Sequence, residues 1–394
     1  MSGLSGGPTR IHLLADLPRV ASGANLAATS QWNRVMSEPV VVHPIAQHRA
    51  QIEAILLAWG MPEANAAETA DLMFWADLHG VDSHGISMLT EYDMLRRQGR
   101  LNMACVPRVL RETSVSALVD GDGGLGHVPA AFGMRTAIAK ARQSGIGVVA
   151  VRNTGHFGAC GVYGLMAAEA GFIGMVSTTT RGVRVAPTGG AQSRLGTDPW
   201  CFVAPGEPGR PFLLDMATAT VAFGRVRNRI SEGQPVPPGW ILTPEGLPTT
   251  DPQDVVSRSG FLTSLGGSRE GASYKGYGLA MMVDILAAGL SGTGYPSDPG
   301  HGKPPAPLNL GHFLLALDPG LFGDPAEFTA GVAQFCDAMR IVRTAEPGVP
   351  VLVAGDPERA KAARRRIEGI PVGTGLLAQV RAIAEVAGAP WLLG

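Results

Sequence analysis

Two stretches of this 394-residue chain place histidine beside other polar groups in glycine-flanked turns, "HGVDSHG" at 79–85 and "NTGHFGACG" at 153–161. An imidazole with an unperturbed pKa of about 6.5 takes or gives a proton near neutrality, so His84 and His156 are candidates for acid–base work. Ser83 is placed to orient a neighbour or a substrate. Polar groups wedged between two elements are costly to bury unless paired, which makes each stretch a candidate site; a hydrogen-bonded turn explains either one alone equally well. Zinc is disfavoured, because His79 and His84 lack the i, i+4 spacing of H-E-x-x-H and no third ligand follows in a recognisable pattern. A serine nucleophile is not indicated, since Ser83 does not sit in G-x-S-x-G.

Three further polar stretches are punctuated by glycine. "RLGTDPWCF" sets Thr197 and Asp198 before a strand, "LLDMATATVAFGR" ends a strand at Asp215, and "SYKGYGLA" puts Lys275 at the start of an apolar helix. A lysine there opposes the positive end of the helix dipole and calls for an anion, either a cofactor phosphate or a substrate carboxylate, with a salt bridge to an Asp as the structural alternative. Gly121, Gly123 and Gly126 match G-x-G-x-x-G. A Rossmann loop, however, needs an acidic residue about 20 positions on, and His127 to Val151 contains neither Asp nor Glu. In a chain with 53 glycines such a match also arises by chance, so the loop reads as a tight strand-to-helix turn.

The elements that must position these residues follow from periodicity and punctuation. Helices are expected over 46–60, 62–80 (Pro62 in the first turn, Gly80 at the stop) and 88–99. Beyond Pro107, β-branched runs ("SALVDG", "IGVVAV", "FIGMVST") alternate with helices at 129–143 and 159–170, which predicts an α/β body. Residues 181–270 are rich in Pro and Gly with short strands "CFVAP", "FLLDM" and "GWILT", suited to a mixed or antiparallel sheet. After a helix at 276–290 come the strand "HFLLALDP" and helices near 325–343, 357–368 and 374–386, the last two expected beside the N-terminal helices.

Composition narrows the function classes. A net charge of -1 with no basic run gives no field for nucleic acid or anionic lipid, so neither is an expected partner. Cys105, Cys160, Cys201 and Cys336 form no C-x-x-C pair, which suits a reducing cytoplasm. The longest apolar helix, "GYGLAMMVDILAAGLSG", is broken by Asp284 and too short to cross a bilayer. Residues 1–41 lack a periodic apolar face and are expected to be a disordered extension, with Met36 as an alternative start. The expected division is a helical subdomain over 42–112 with 355–394 packing back on it, and an α/β cofactor-binding and catalytic domain over 113–354.

Taken together, "HGVDSHGISML", "DGDGGLGHVPA", "VRNTGHFGACGVYGLMAAEAGFIGMV", "APTGGAQSRLGTDPWCFVAPG", "FLLDMATATVAFGRV", "PPGWILTPEGLPTTD", "YKGYGLAMMVDILAAGLSG" and "NLGHFLLALDP" resemble the malate/L-lactate dehydrogenase family distinct from Rossmann dehydrogenases. The motifs run in family order from about residue 43 to 370. Each is weak alone; the set is specific. The resemblance implies a non-Rossmann α/β fold with a mixed, largely antiparallel sheet, a helical subdomain built from both chain ends, NAD or NADP as cofactor, a small 2-hydroxy or 2-oxo acid as substrate, and a homodimer. It also implies His84 as the proton-transfer residue with Ser83 beside it, and His156 as a second active-site histidine. Thr180, Asp215, Met216, Ala217, Lys275, Gly276, Gly355, Asp356 and Pro357 fall at cofactor-contacting positions. Two departures stand out. Asp198 replaces the usual Asn of "GTNP", and Met88 stands where several members carry an Arg suited to clamp a substrate carboxylate, so either Lys275, Arg181 or Arg184 takes that task or the substrate is larger or differently charged. Reduction of a cyclic 2-carboxy imine and a catalytically silent ligand-binding homologue are the rival readings.

Overall fold

The computed structural model describes residues 39–299, 301 and 308–394, so the expected extension up to residue 38, and Met36 within it, lie outside the described residues. The extension's expected limit at 41 needs correction. Val40–His43 form strand β1, which runs antiparallel to the later segment Ile370–Gly373, pairing Val40 with Gly373 and His43 with Ile370. The two ends of the chain are thereby stitched together.

Helices α1 (Ile45–Ala58), α2 (Glu63–Leu78) and α3 (Leu89–Arg97) follow, with Pro62 before α2 supplying a helix-ready φ and Gly80 after it at φ 79°. Next come β2 (Arg108–Glu112), β3 (Ser116–Gly124), α4 (His127–Ser144), β4 (Ile146–Thr154), α5 (Gly161–Glu169), β5 (Ile173–Thr178), β6 (Trp200–Glu207) and β7 (Arg210–Met216). A loop-rich middle holds α6 (Phe223–Ser231), β8 (Ile241–Leu242), β9 (Pro248–Thr249), α7 (Gln253–Val256) and β10 (Phe261–Leu262). The chain closes with α8 (Tyr274–Asp284) and its π-helical continuation Ile285–Gly289, β11 (Leu310–Leu317), α9 (Pro325–Arg340), α10 (Asp356–Glu368), β12 (Ile370–Gly373) and α11 (Thr374–Ala387).

Among the described residues, seven strands form one sheet in the order β2-β3-β4-β11-β5-β6-β7, and only β3 and β4 run parallel in it. A Rossmann sheet is parallel throughout its nucleotide-binding half, so this is the expected mixed, largely antiparallel α/β body. β2, which the sequence groups with the N-terminal helices, is instead the sheet's edge strand, paired with β3. β8, β9 and β10 make a small antiparallel sheet of their own.

Val119, Val149, Val151, Val176 and Leu314 on the sheet pack with Met134 of α4, Tyr163 of α5 and Trp75 of α2. A second core joins Ile52 and Leu56 of α1, Met73 of α2, Tyr92 of α3 and Val380 of α11. α2 gives Leu72 and Trp75 to one core and Ala70 and Met73 to the other, so it is wedged between the two layers, with Glu68 and Asp71 paired to Arg135 and Arg49 along its partly exposed edge. Its C-terminal end is therefore a rigid platform for the turn that follows. Glycine permits a close helix-to-sheet contact: a Cβ on Gly147 would stand 1.9 Å from the carbonyl oxygen of Ala137, so α4 rests on the β4 backbone itself. Among the described residues no helix is long and apolar enough to cross a membrane.

Candidate active site

The turn after α2 carries His84, whose N–H closes onto the Val81 carbonyl at 2.9 Å and whose Nδ1 lies 2.8 Å from Ser83 Oγ. The end of β4 delivers His156. The glycine loop holds it there: Gly126 N–H donates to His156 O at 3.0 Å and Gly155 N–H to Gly124 O at 2.8 Å. A Cβ on Gly126 would sit 2.3 Å from Gly155 O, so the glycines serve a close backbone approach within a strand-to-helix turn. The two imidazoles come together with ring centroids 5.5 Å apart.

Hydrogen bonding separates their roles. Tyr92 Oη lies 2.7 Å from His156 Nδ1, and Gly158 N–H donates to that same nitrogen at 3.3 Å. An amide can only donate, which assigns Nδ1 as an acceptor and puts the ring proton on Nε2. Burial, then the charges His84, His127, His312 and Arg181 would present, hold His156 well below its ordinary pKa, and burial keeps the Tyr92 hydroxyl protonated far above the usual phenol value. Burial also lowers His84, whose side-chain neighbour at hydrogen-bonding distance among the described residues is the adaptable Ser83 hydroxyl. Behind them His127 is fully buried with neither ring nitrogen partnered, and His312 stacks on Phe157 at 4.4 Å while bonding Thr178 Oγ1 at 2.7 Å. Burial pushes both down to about 3, so they stand as neutral wall groups at physiological pH. Among the described residues no group of three or more His, Cys, Asp or Glu side chains could hold a metal ion.

The residues matched to cofactor positions divide into two kinds. Asp215 ends β7 with Oδ2 accepting from Gly161 N–H at 2.6 Å, at the start of α5. Desolvation by the surrounding protein, and then the charge of Glu358, push its carboxyl up to about 6 against the pull of that amide. Met216 and Ala217 follow, and the next residues bond on toward α8 through Leu265 N–H to Thr218 O at 2.8 Å. Lys275 is exposed in the first turn of α8, and its ammonium has no partner among the described residues, so the alternative of a salt bridge to an Asp is not seen there. Other matched positions have structural work. Gly276 is buried, and a Cβ there would stand 2.3 Å from Leu265 O. Asp356 is bound by Arg340, Arg359 and Val353 N–H, its carboxyl held far below the usual range by those bonds despite partial burial. Gly355 turns the chain at φ 94° and Pro357 occupies the first turn of α10. Thr180 donates to Gly182 O at 3.2 Å and packs where Gly196 leaves room, beside Asp198.

Asp198 is fully buried at φ 37° with neither carboxyl oxygen hydrogen-bonded. Burial, then the charge of Asp284, push it well above the carboxylate range, and burial pushes Asp284 up to about 7. An unfolded Asp releases its proton at about 4, so between about pH 4 and about pH 7 the folded pair keeps protons that the unfolded chain has lost, and stability falls as pH rises. Asp198→Asn supplies N–H donors that cannot ionise. This variant is expected to be more stable than the parent at about pH 8, with the gap shrinking toward about pH 5 by up to about 1.4 kcal/mol per pH unit per proton. Urea melts across that range measure it, and a gap independent of pH contradicts it.

Sequence reasoning missed Tyr92, whose only local sign is an aromatic at a helical core spacing. Comparison with known proteins extends these observations to the whole fold. The family model described as "Malate/L-lactate dehydrogenase" matches residues 44–381. A malate dehydrogenase of Pyrococcus horikoshii is 38% identical over 338 residues, covering 86% of this chain and 93% of its own. An L-sulfolactate dehydrogenase of Methanothermobacter thermautotrophicus is 36% identical, covering 85% and 94%. Among solved structures, malate dehydrogenase from Entamoeba histolytica superposes with a TM-score of 0.85 at 30% identity, over 89% of this chain and 99% of that one. The delta1-piperideine-2-carboxylate reductase of Pseudomonas syringae gives 0.76 at 27%, over 87% and 100%. The match spans the histidine turns, the sheet and the flanking helices alike, and the chain belongs to the malate/L-lactate dehydrogenase family.

Proposed function

We propose that this protein is an NAD(P)-dependent oxidoreductase interconverting a small 2-hydroxy acid and its 2-oxo acid, with His84 as acid/base and His156 as hydrogen-bond donor to the substrate oxygen. One observation carries the division of labour: His156 Nδ1 is occupied by the Gly158 amide and Tyr92, so its Nε2–H points a fixed donor outward, whereas the Ser83 hydroxyl beside His84 can donate or accept as that ring changes state. In oxidation neutral His84 takes the hydroxyl proton; in reduction its protonated form returns it.

The residues present fit a nicotinamide dinucleotide. Beside Gly161 and Asp215 lies a cavity of about 470 Å³ whose walls include Trp75, Leu165, Pro211 and Leu213, with Glu358 and Arg359 at its polar side, suited to a heteroaromatic base. Asp215 would accept from ribose hydroxyls, Met216, Ala217, Thr180, Gly276 and Gly355–Pro357 would line the path, and the unpaired Lys275 would meet a phosphate. When bound, the nicotinamide supplies or accepts the hydride at the substrate carbon. For the substrate carboxylate, with Met88 offering no charge, we assign Arg181: Glu91 of α3 holds it at 3.1 Å, and its charge is close enough to depress protonation of His156.

Tyr274, Met281 and Ile285 stand exposed along one side of α8 and its continuation, on the helix that carries Lys275. An apolar stripe of this kind supports a homodimer with the site near the interface. Four free, buried cysteines suit a reducing cytoplasm.

The likeness to the piperideine-carboxylate reductase supports a second reading, in which the same acid serves reduction of a cyclic 2-carboxy imine. A panel of oxaloacetate, pyruvate, sulfopyruvate and piperideine-2-carboxylate with NADH and with NADPH tests both. Turnover is expected with a 2-oxo acid; turnover of the imine alone favours the second reading. Cofactor binding without any turnover points to a silent homologue.

A further inference from the structure

His84 sits in a short turn with glycine on either side, and such turns are mobile unless something holds them. Two devices hold this one. On the near side, Asp77 of α2, 2% exposed, accepts from His48 Nε2 at 2.7 Å and from Ile86 N–H at 2.8 Å. A Cβ on Gly85 would lie 1.9 Å from Asp77 Oδ1, so only glycine can follow His84 against that carboxylate. On the far side, Arg365 of α10, 7% exposed, donates through Nη1 to both the Asp77 carbonyl and the Asp82 carboxylate, and through Nη2 to Asp82 Oδ2 at 3.0 Å. Ser87 Oγ closes the turn on Asp82 O at 2.6 Å. The backbone is thus pinned at Asp82 and at Ile86, on both sides of Ser83 and His84.

We propose that Arg365, through its fork on Asp82, and Asp77, through Ile86 N–H, are positioning residues for His84, so that helix α10 sets the efficiency of proton transfer at a turn far away in sequence. A guanidinium fork fixes direction as well as distance, which a lysine ammonium does not. The proposal rests on His84 as the acid/base. Misplacing a reacting group by about 1 Å can cost about 10²-fold in rate, the scale on which loss of the clamp is felt. The groups around His84 are Ser83, His156 and the buried neutral His127, and the Arg365–Asp82 pair is internally neutral, so the clamp acts by geometry and exclusion of water.

The test uses the full chain with Arg365→Lys, Arg365→Met and Asp82→Ala; because Asp82→Ala leaves the buried Arg365 guanidinium without its carboxylate partner, a thermal melt first establishes that each variant is folded. One readout is the titration of His84 followed by NMR of ring-labelled histidine, its signal assigned by its loss in His84→Gln. The other is kcat and KM with oxaloacetate and each reduced cofactor. In Arg365→Met and Asp82→Ala the His84 midpoint is expected to rise toward its ordinary value as water enters the loosened turn. Turnover is expected to fall about 10- to 100-fold with cofactor KM unchanged. Arg365→Lys, which keeps the charge without the fork, falls between parent and Arg365→Met. Variants that melt earlier but titrate His84 at the parent value and keep parent kcat overturn the proposal. If His84→Gln itself leaves hydride transfer intact, the acid/base reading fails, while the NMR titration still judges the clamp on its own.

Discussion

Replacing His84 by Gln is expected to lower turnover by about 10²- to 10⁴-fold while NADH or NADPH binding stays within a few-fold. Glutamine keeps much of the size and can hydrogen-bond Ser83, but it cannot exchange a proton near neutrality, so the substitution isolates proton transfer from packing. The pH dependence fixes the sign. Burial lowers the His84 pKa below its ordinary value, so the neutral base predominates at pH 7. Oxidation should therefore rise through a midpoint below the ordinary histidine value and then level off, while reduction, which needs the protonated ring, should fall through that same midpoint as pH increases. His84→Gln flattens both curves. His156→Gln should leave the pH midpoint in place and lower rate less, because a glutamine amide still donates to the substrate oxygen. Stopped-flow hydride transfer at several pH values measures these effects, and an unchanged rate in His84→Gln moves the acid/base role to His156.

What the sequence discloses depends on how local the signal is. α2 is legible because Pro62 and Gly80 bracket a long apolar segment, and β4 because "IGVVAV" is β-branched and short. β1 and β12 are not, since each has four residues and finds its partner at the other end of the chain, so no local pattern marks the pairing. β2 is exposed at every position and shows no alternation to read. The same holds at the site. Histidines between glycines draw attention by type, but Asp77, His48 and Arg365 gain meaning only when α1, α2 and α10 meet around the turn. Tyr92 looks like any buried aromatic of α3 until its hydroxyl is found on His156. Asp356 falls at a cofactor position by motif, and its carboxylate is occupied by two arginines, a structural task the motif does not announce.

Arg181→Met is expected to raise KM for a 2-oxo acid about 10- to 100-fold with a smaller change in kcat, because a charge-assisted hydrogen bond to a carboxylate contributes about 1.5–3 kcal/mol and each 1.4 kcal/mol is about tenfold. Its own ion pair with Glu91 is about a third exposed on each side, so breaking that pair removes little stability and the effect should appear in substrate binding. The competing cations are less apt. Arg184 is engaged over the Phe223 ring at 4.2 Å, while Lys275 stands on α8 beside the cofactor residues. Met88 provides a rescue that a structural effect could not imitate. It sits half-buried at the end of the short 3-10 turn after His84, packed against the helical core, four residues on from that histidine. Met88→Arg added to Arg181→Met should recover part of the lost KM, and a substrate analogue with its carboxylate replaced by an amide should be indifferent to both changes. Steady-state kinetics of the two single variants and the double variant, with acid and amide, measure this. A parent-like KM for the acid in Arg181→Met removes Arg181 from the site and leaves Lys275→Met as the next variant to carry the carboxylate.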